Sequence, residues 1–402
     1  MGRAAALYDP NALIPFSKPF VTEHELSNLQ RVLESDHSHG DGAFTRSASD
    51  RLRTITGVDN VLLTTSCTHA LEMACQLLDI GPGDEVILPS FTFPSAANAV
   101  ARTGARCVFV GIDPTTGNID PNQVDEAVGP HTKAIIVMHY GGVPVDMPAI
   151  MDIARRAGIE VIEDNAHGLG VETDAGTLGG IGALGTQSFH DTKNVHCGEG
   201  GALLVRDAAL LDRAEIIREK GTNRSQFMRG RIDKYSWVEL GSSFLPSELN
   251  AAVLDSQLES FDEIQARRFS IWNRYSVALE QWAEDLGVEL MRPADGIHAA
   301  HLFYLLMPDW DSQTDLLEHL RALGIMATFH YVPLGSSPAG LKFGRMMRPL
   351  VLAEDFSRRL VRLPLWTGMT DDQVTRVIDG VLSFGRRAPA SAPLQVDTLP
   401  AL

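Results

Sequence analysis

Cysteine is scarce in this sequence. The four present, Cys67, Cys75, Cys107 and Cys197, form no CxxC pair and no regular spacing, which sets aside a zinc site and a disulfide framework and makes a reducing cytoplasm the expected setting. Long hydrophobic runs are missing as well. No segment approaches the ~18 apolar residues needed to span a bilayer, and the opening MGRAAALYDPNALIPF lacks the continuous apolar stretch of a signal peptide. The expectation is a soluble chain, not exported and without a membrane partner. Positive charge is short: 34 Lys and Arg stand against 51 Asp and Glu, leaving −17, which disfavours nucleic acid as a partner. An anionic ligand must then be held by a local basic cluster.

What is present is ordinary globular material. Hydrophobic residues make up 44% and charged residues 21% of 402 positions, with unremarkable Gly and Pro, so a large core is expected rather than disorder. From about residue 60 to 205, short apolar runs alternate with helical patterns: NVLLTT, CTHALEMACQLL, DEVILP, SAANAVARTG, RCVFVGI, KAIIVMHY, MPAIMDIARRAG, IEVIED. Continuous apolar strands between amphipathic helices imply an α/β fold with a mainly parallel sheet covered on both faces. Helical patterns follow at roughly 207–220 and 247–283. AHLFYLLMPD, TDLLEHLRALG and IMATFHYVPL then read as strand, helix, strand. The division expected is a large α/β domain over 1–250, a smaller α+β domain over 251–387, and an unstructured Pro- and Ala-rich tail over 388–402.

Four features fall at the carboxyl ends of expected strands, where open α/β sheets bind ligands. In TTSCTHALEMA (64–74) a strand breaks into a helix opening with Ser66, Cys67 and Thr68. Free N–H groups and hydroxyls there can cradle a phosphate, although an ordinary helix cap uses the same residues. In EVIEDNAHG, Asp164 follows a buried strand with His167 three residues on. A carboxylate there can hold a ring nitrogen protonated, or simply cap a turn. In SFHDTKNVHCGEGGALLV (188–205), Lys193 sits in a compact polar loop. A lysine withdrawn from water has the lowered pKa that imine chemistry needs, whereas a solvated one is a surface charge. In PSFTFPSAANA, Phe91 and Phe93 follow a strand. The two are expected to part, one able to stack on a planar ring and the other to pack in the core.

These segments resemble the sugar aminotransferase family named after DegT, DnrJ, EryC1 and StrS, within the fold type I pyridoxal-phosphate enzymes. The likeness runs over about 14–386. It is carried by GDGAFT (40–45), LLTTSCTHALEMA (62–74), PGDEVILPSFTF (82–93), EDNAHG (163–168), SFHDTKN (188–194), GEGGALL (198–204), AEIIREKGTNRSQF (214–227), DKYSW (233–237) and FHYVPL (329–334). TTSCTHALEMA and EKGTNRSQF are the most specific, and they are similar to the TDP-4-keto-6-deoxyglucose 4-aminotransferases. The resemblance implies a homodimer with pyridoxal 5'-phosphate bonded to Lys193. It further implies Asp164 at the pyridine nitrogen, His167 near the ring and its 3-hydroxyl, and Phe93 over the ring's other face. Ser66, Cys67, Thr68 and Ser188 are implied at the phosphate, with TDP-4-keto-6-deoxyglucose and L-glutamate as substrates. One segment departs from the family. In GSSFLPSELNAA (241–252), Ser243 and Leu245 stand where many members carry an Asn or Arg reaching the neighbouring subunit's cofactor phosphate, and Asn223 or Arg224 is the expected substitute.

The anionic substrate has a local answer in REKGTNRSQFMRGRIDK (218–234), with six basic residues against two acidic ones, +4 inside a chain of −17. Its Gly, Asn and Ser content suggests a loop, in which Arg229 and Arg231 can meet a diphosphate. His330 and Tyr331 in FHYVPL are further candidates for substrate contact. Other readings share the scaffold: transfer at C3, another keto sugar, or a regulatory protein that binds the cofactor without turnover. A dehydratase variant carries His in place of the lysine, and Lys193 speaks against it.

Overall fold

The structure, a computed structural model, describes residues 13–385. The tail expected to be unstructured lies outside the described residues. The strands are β1 (Asn60–Thr64), β2 (Glu85–Pro89), β3 (Arg106–Val110), β4 (Thr132–Met138), β5 (Glu160–Asp164), β6 (Glu172–Thr173), β7 (Gly176–Thr177), β8 (Leu184–Ser188), β9 (Gly201–Val205), β10 (Glu289–Leu290), β11 (Phe303–Leu306), β12 (Gly344–Met346) and β13 (Leu360–Leu363). Eight of them form one sheet in the order β1-β9-β8-β5-β4-β2-β3-β12, and β10-β11-β13 form a second, antiparallel sheet. In the large sheet β9 alone runs against its neighbours β1 and β8; every other pairing is parallel. The carboxyl ends of β1, β2, β4, β5 and β8 therefore share one edge.

Both faces of this sheet are buried, which is why its strands read as unbroken apolar runs. Val86, Leu88, Cys107, Phe109, Ala134, Ile136 and Ile162 pack on one side, while Ile87, Val108, Val110, Ile135, Val137 and Val161 pack on the other. The chain leaves β2 toward β3 and leaves β4 toward β5, in opposite directions across the sheet. The crevice between β2 and β4 is thus a topological switch point.

Two expectations need correction. The helical pattern at 247–283 is two helices, Glu248–Glu259 and Phe261–Leu286, separated by Ser260. The first packs Ala251, Leu254 and Leu258 with Phe44, Ala48 and Leu52, whereas the second sends Ile271, Tyr275 and Leu279 to a different core with Phe303. One straight helix cannot face both. The run IMATFHYVPL is not a strand either. Thr328 makes an isolated bridge to Arg362, and Leu334 N–H then donates to Ser90 O at 2.8 Å. Pro333 has no N–H for a ladder, and the chain crosses the carboxyl edge of the large sheet here. Farther along, β12 pairs in parallel with β3, so the C-terminal part of the chain supplies the last strand of the large sheet.

Candidate active site

A cavity of about 600 Å³ opens at the shared carboxyl edge. Its first wall is the start of helix Cys67–Leu77. Ser66 is extended, with φ −167° and ψ 162°, and its Oγ accepts the His69 N–H, the geometry of an N-cap. Thr68 Oγ1 lies 2.7 Å from Ser95 Oγ on helix Pro94–Arg102, so two helix openings converge. This close approach depends on Gly201 of β9, because a Cβ there would stand 2.4 Å from Cys67 N and from Ser66 C. Cys67 contributes only backbone to the opening. Its Sγ turns inward, 3.4 Å from Thr186 Oγ1 and 3.9 Å from Asp164 Oδ1, and burial raises its thiol pKa.

The second wall is the end of β5. Strand alternation sends the neighbouring carboxylates Glu163 and Asp164 to opposite sides. Asp164 lines the cavity, and its Oδ1 accepts the Ala166 N–H at 3.1 Å. Burial pushes its carboxyl up, against the pull of that N–H and of Lys193. A cation beside it, such as a protonated ring nitrogen, would favour the ionised form. His167 follows on the turn. Its Nδ1 accepts the Gly141 N–H at 3.2 Å, so Nε2 carries the hydrogen, and burial keeps the ring neutral. Gly142, at φ +77°, makes this turn possible: a Cβ there would sit 2.6 Å from His167 O. The face of His167 stacks on His301 at 4.1 Å.

Between β8 and β9 the loop carrying Lys193 is closed by Phe189 N–H to Gly200 O and Cys197 N–H to Phe189 O, at 2.8 and 2.9 Å. The adjoining Asn194 ties it to the rest of the molecule. Its Nδ2 donates to Ala299 O and Gln265 Oε1, both at 2.8 Å, leaving Oδ1 to accept from His301 Nδ1 at 2.9 Å. Lys193 keeps some surface toward the cavity, yet the protein atoms crowding its amine lower its pKa to about 8, a shift that Asp164 opposes. An amine with such a value is partly neutral near physiological pH and can act as a nucleophile.

Phe91 and Phe93 separate because the chain has left β2 at Pro89 and turns into helix Pro94–Arg102 at Phe93, whereas two residues that far apart in a strand would share a face. Phe91 is 1% exposed in the core, while Phe93, 54% exposed, lines the cavity. Ser188, His330 and Tyr331 line it too. Arg229 and Arg231 are not brought there. Arg229 is paired with Glu215, and Arg231 lies 3.4 Å from Asp212, on the segment that follows the short helix Arg224–Met228. Asn223 and Arg224 are likewise held within their own hairpin, Asn223 by Ser236 N–H at 2.8 Å and Arg224 by Glu219 at 2.6 Å. Among the lining residues that went unnoticed in the sequence are Phe16, Ser17, His301 and Arg362. For Arg362 a signal existed, a lone cation inside the apolar strand LVRL.

A neutral-prone lysine, a buried carboxylate, a helix opening rich in hydroxyls and a half-exposed aromatic ring fit an aldehyde-bearing pyridine phosphate. The family's sequence pattern matches residues 19–382 and is that of the DegT/DnrJ/EryC1/StrS aminotransferase family. The chain belongs to this family. These aminotransferases use pyridoxal phosphate, and this one is a transferase of sugar metabolism. Among its relatives, the spore coat polysaccharide biosynthesis protein SpsC of Bacillus subtilis is 33% identical over 382 residues, spanning 92% of this chain and 97% of that protein. The dTDP-4-dehydro-2,3,6-trideoxy-D-glucose 4-aminotransferase of Saccharopolyspora spinosa is 32% identical over 376 residues, 91% of this chain and 95% of that one. The crystal structure of the aminotransferase TlmJ from Streptoalloteichus hindustanus superposes with a TM-score of 0.85 at 30% identity, covering 92% of this chain and 98% of TlmJ. Among the described residues of the aminotransferase, no helix is long and apolar enough to cross a membrane.

Proposed function

We propose that the enzyme moves the amino group of L-glutamate onto the C4 ketone of TDP-4-keto-6-deoxyglucose. The products are 2-oxoglutarate and TDP-4-amino-4,6-dideoxyglucose or its galactose epimer. The observation carrying the reaction type is Lys193, lowered to about 8 and sharing a cavity with Asp164. Support for C4 comes from the TTSCTHALEMA and EKGTNRSQF segments and from the Saccharopolyspora relative named for a 4-aminotransferase. Bound in the cavity, pyridoxal phosphate supplies an electron sink for the charge left when a proton departs the donor's α-carbon. Lys193 holds the cofactor through Nζ, then takes that proton and, in the return half, delivers one to the sugar's C4. Asp164 keeps the ring nitrogen protonated, and His167 and Phe93 fix the ring. Ser66, Thr68, Ser188 and the backbone at Cys67 hold the phosphate.

The face from which Lys193 delivers its proton sets the C4 configuration. Incubation with L-glutamate and TDP-4-keto-6-deoxyglucose, followed by proton NMR, reads it directly. A large H3–H4 coupling means the gluco product and a small one the galacto product. No turnover, despite cofactor bound at Lys193, would move the assignment to another keto sugar. A homodimer is part of this reading. It accords with the exposed Phe227, Met228, Tyr235, Trp237, Val238 and Leu240, clustered within one short stretch of chain. A cytoplasmic setting fits four cysteines that are all unpaired and buried.

The lysine also carries a pH expectation. Attack on the cofactor aldehyde needs the neutral amine, whose fraction grows as pH rises through its pKa. In cofactor-free protein the rate of pyridoxal phosphate capture, followed by visible absorbance, is expected to climb through about pH 8 and level above it. A climb centred above pH 10 would mean that water solvates this amine as it does an ordinary lysine.

A further inference from the structure

We infer that the cavity between helix Phe261–Leu286 and the segment 290–298 is a nucleotide site separate from the catalytic cavity, and that its occupancy is felt there through the turn His298–His301. The cavity holds about 440 Å³, within the range of small-ligand sites. One wall is a single face of the helix, because Phe269, Trp272, Ser276 and Glu280 recur at helical spacing. The opposite wall carries Arg292 and His298. All of these residues stand outside the lining of the catalytic cavity.

The chemistry changes with depth. At the floor three aromatic rings meet, with His298 lying 4.3 Å from Trp272 and 4.9 Å from Phe269, centre to centre. Such rings offer a planar base both stacking and edge-on contact. His298 Nδ1 accepts the Ala300 N–H at 3.0 Å, so Nε2 carries the hydrogen, and burial lowers the ring's pKa to about 4, which keeps it neutral. Trp272 Nε1 is buried with no hydrogen-bond partner among the described residues. A buried donor left unpaired is costly, and a base carbonyl that draws the indole toward it removes that cost. At the rim, Arg292 Nη2 and Glu280 Oε1 stand 3.6 Å apart, with more than half of each side chain exposed. An ion pair of this kind contributes little. A ligand can open it, the guanidinium turning to a phosphate and the carboxylate to a ribose hydroxyl. From floor to rim, base, sugar and phosphate each meet a matching group.

The floor of this cavity and a wall of the catalytic one belong to the same turn. Ala300 is fully buried at φ +45°, a strained conformation for alanine that persists because its neighbours over-determine it. Its N–H is held by His298, its carbonyl accepts Arg268 Nε at 3.1 Å, and His301 O accepts Arg268 Nη2 at 2.5 Å. His301 lines the catalytic cavity, stacks on His167 and donates through Nδ1 to Asn194, the residue after Lys193. A base stacked on His298 and bonded to its Nε2 tilts the ring away from the Ala300 N–H. The strained turn then relaxes, and His301 leaves its place against His167.

The test uses the cofactor-loaded enzyme and thymidine monophosphate (TMP), with UMP and AMP beside it, since the choice of thymine rests on the TDP-sugar reading. Ser276→Phe fills the cavity, and Arg292→Ala strips its exposed rim. By calorimetry, the TMP binding event assigned here is expected to vanish in Ser276→Phe and to weaken about 3- to 10-fold in Arg292→Ala, whereas any event in the catalytic cavity survives both. At saturating substrates TMP is expected to lower kcat about 5-fold in wild type and to have no effect in Ser276→Phe. Ala300→Gly, for which this φ carries no strain, is expected to keep the binding event and lose the response. Full retention of every TMP event in Ser276→Phe would overturn the site, as would Arg292→Ala binding TMP as tightly as wild type. A wild-type kcat indifferent to TMP would overturn the coupling. Turnover of a different keto sugar, with UMP or AMP in place of TMP at the Ser276-sensitive event, would sink the TDP reading alone and leave the nucleotide site standing.

Discussion

Replacing Lys193 with alanine is expected to cut turnover by about ten-thousand-fold or more, because one amine both holds the cofactor and moves the proton. No neighbour can take over either duty. His167 is neutral and its Nδ1 is engaged by the Gly141 N–H, and burial raises the Tyr331 phenol well above its ordinary value. Lys193→Arg separates charge from nucleophilicity. The guanidinium preserves the positive charge beside Asp164, yet it is never neutral in a protein and cannot bond the aldehyde. Both variants are expected to lose the visible absorbance of the lysine-bound cofactor. A small primary amine added to Lys193→Ala is expected to restore a fraction of the proton transfer, since the loop is fixed by its own backbone bonds and by Asn194 rather than by the lysine side chain. Turnover within about a hundredfold of wild type in Lys193→Ala would show that another group does this chemistry.

Legibility in the sequence followed the reach of the interactions. Strands buried on both faces announce themselves as continuous apolar runs, and the polar residue ending each run marks the carboxyl edge of a parallel sheet. Ser66, Asp164, Ser188 and Lys193 could be placed together on that basis before any coordinates. Arg362 and His301 reach the same cavity from the antiparallel sheet and from the turn leading into it, and Phe16 from a segment bridged to residue 325. Those juxtapositions are tertiary, and no local spacing encodes them. Arg229 illustrates the converse. A basic run looks like an anion site when its partners are ignored, but Glu215 lies one helix back and takes the guanidinium. The segment around Pro333 failed as a strand for a related reason: His330 and Tyr331 line the cavity instead of taking part in a ladder.

The largest expected loss of stability falls on Glu163→Gln. Glu163 is fully buried behind Asp164, with Oε1 accepting the N–H groups of Ile181 at 2.7 Å and Gly182 at 2.6 Å. Its Oε2 accepts the Gly179 N–H at 2.9 Å and His139 Nε2 at 3.0 Å. Glutamine has the same shape and the wrong chemistry. Whichever way its amide is turned, the NH₂ group meets two donors in place of an acceptor. His139 cannot relieve the clash by shifting its hydrogen, because Nδ1 already accepts the Val145 N–H at 3.1 Å. Two buried donors without partners, at ~1–3 kcal/mol each, set the loss at about 2–6 kcal/mol. The sign of the pH dependence follows from the carboxyl. Burial alone would raise it, but the His139 hydrogen bond and the N–H groups of Gly182 and Gly179 hold it below the ordinary range. Its contribution is therefore complete above the unfolded value near ~4.3 and fades as pH falls through the lower folded value. Urea midpoints of wild type and Glu163→Gln are expected to differ most at neutral pH and to converge on acidification. Cofactor affinity falls in parallel, because the His139 N–H donates to Asp164 O at 3.3 Å and the two strand ends move together. A glutamine variant as stable as wild type at neutral pH would mean that these four donors find other partners, and that Asp164 is positioned by something else.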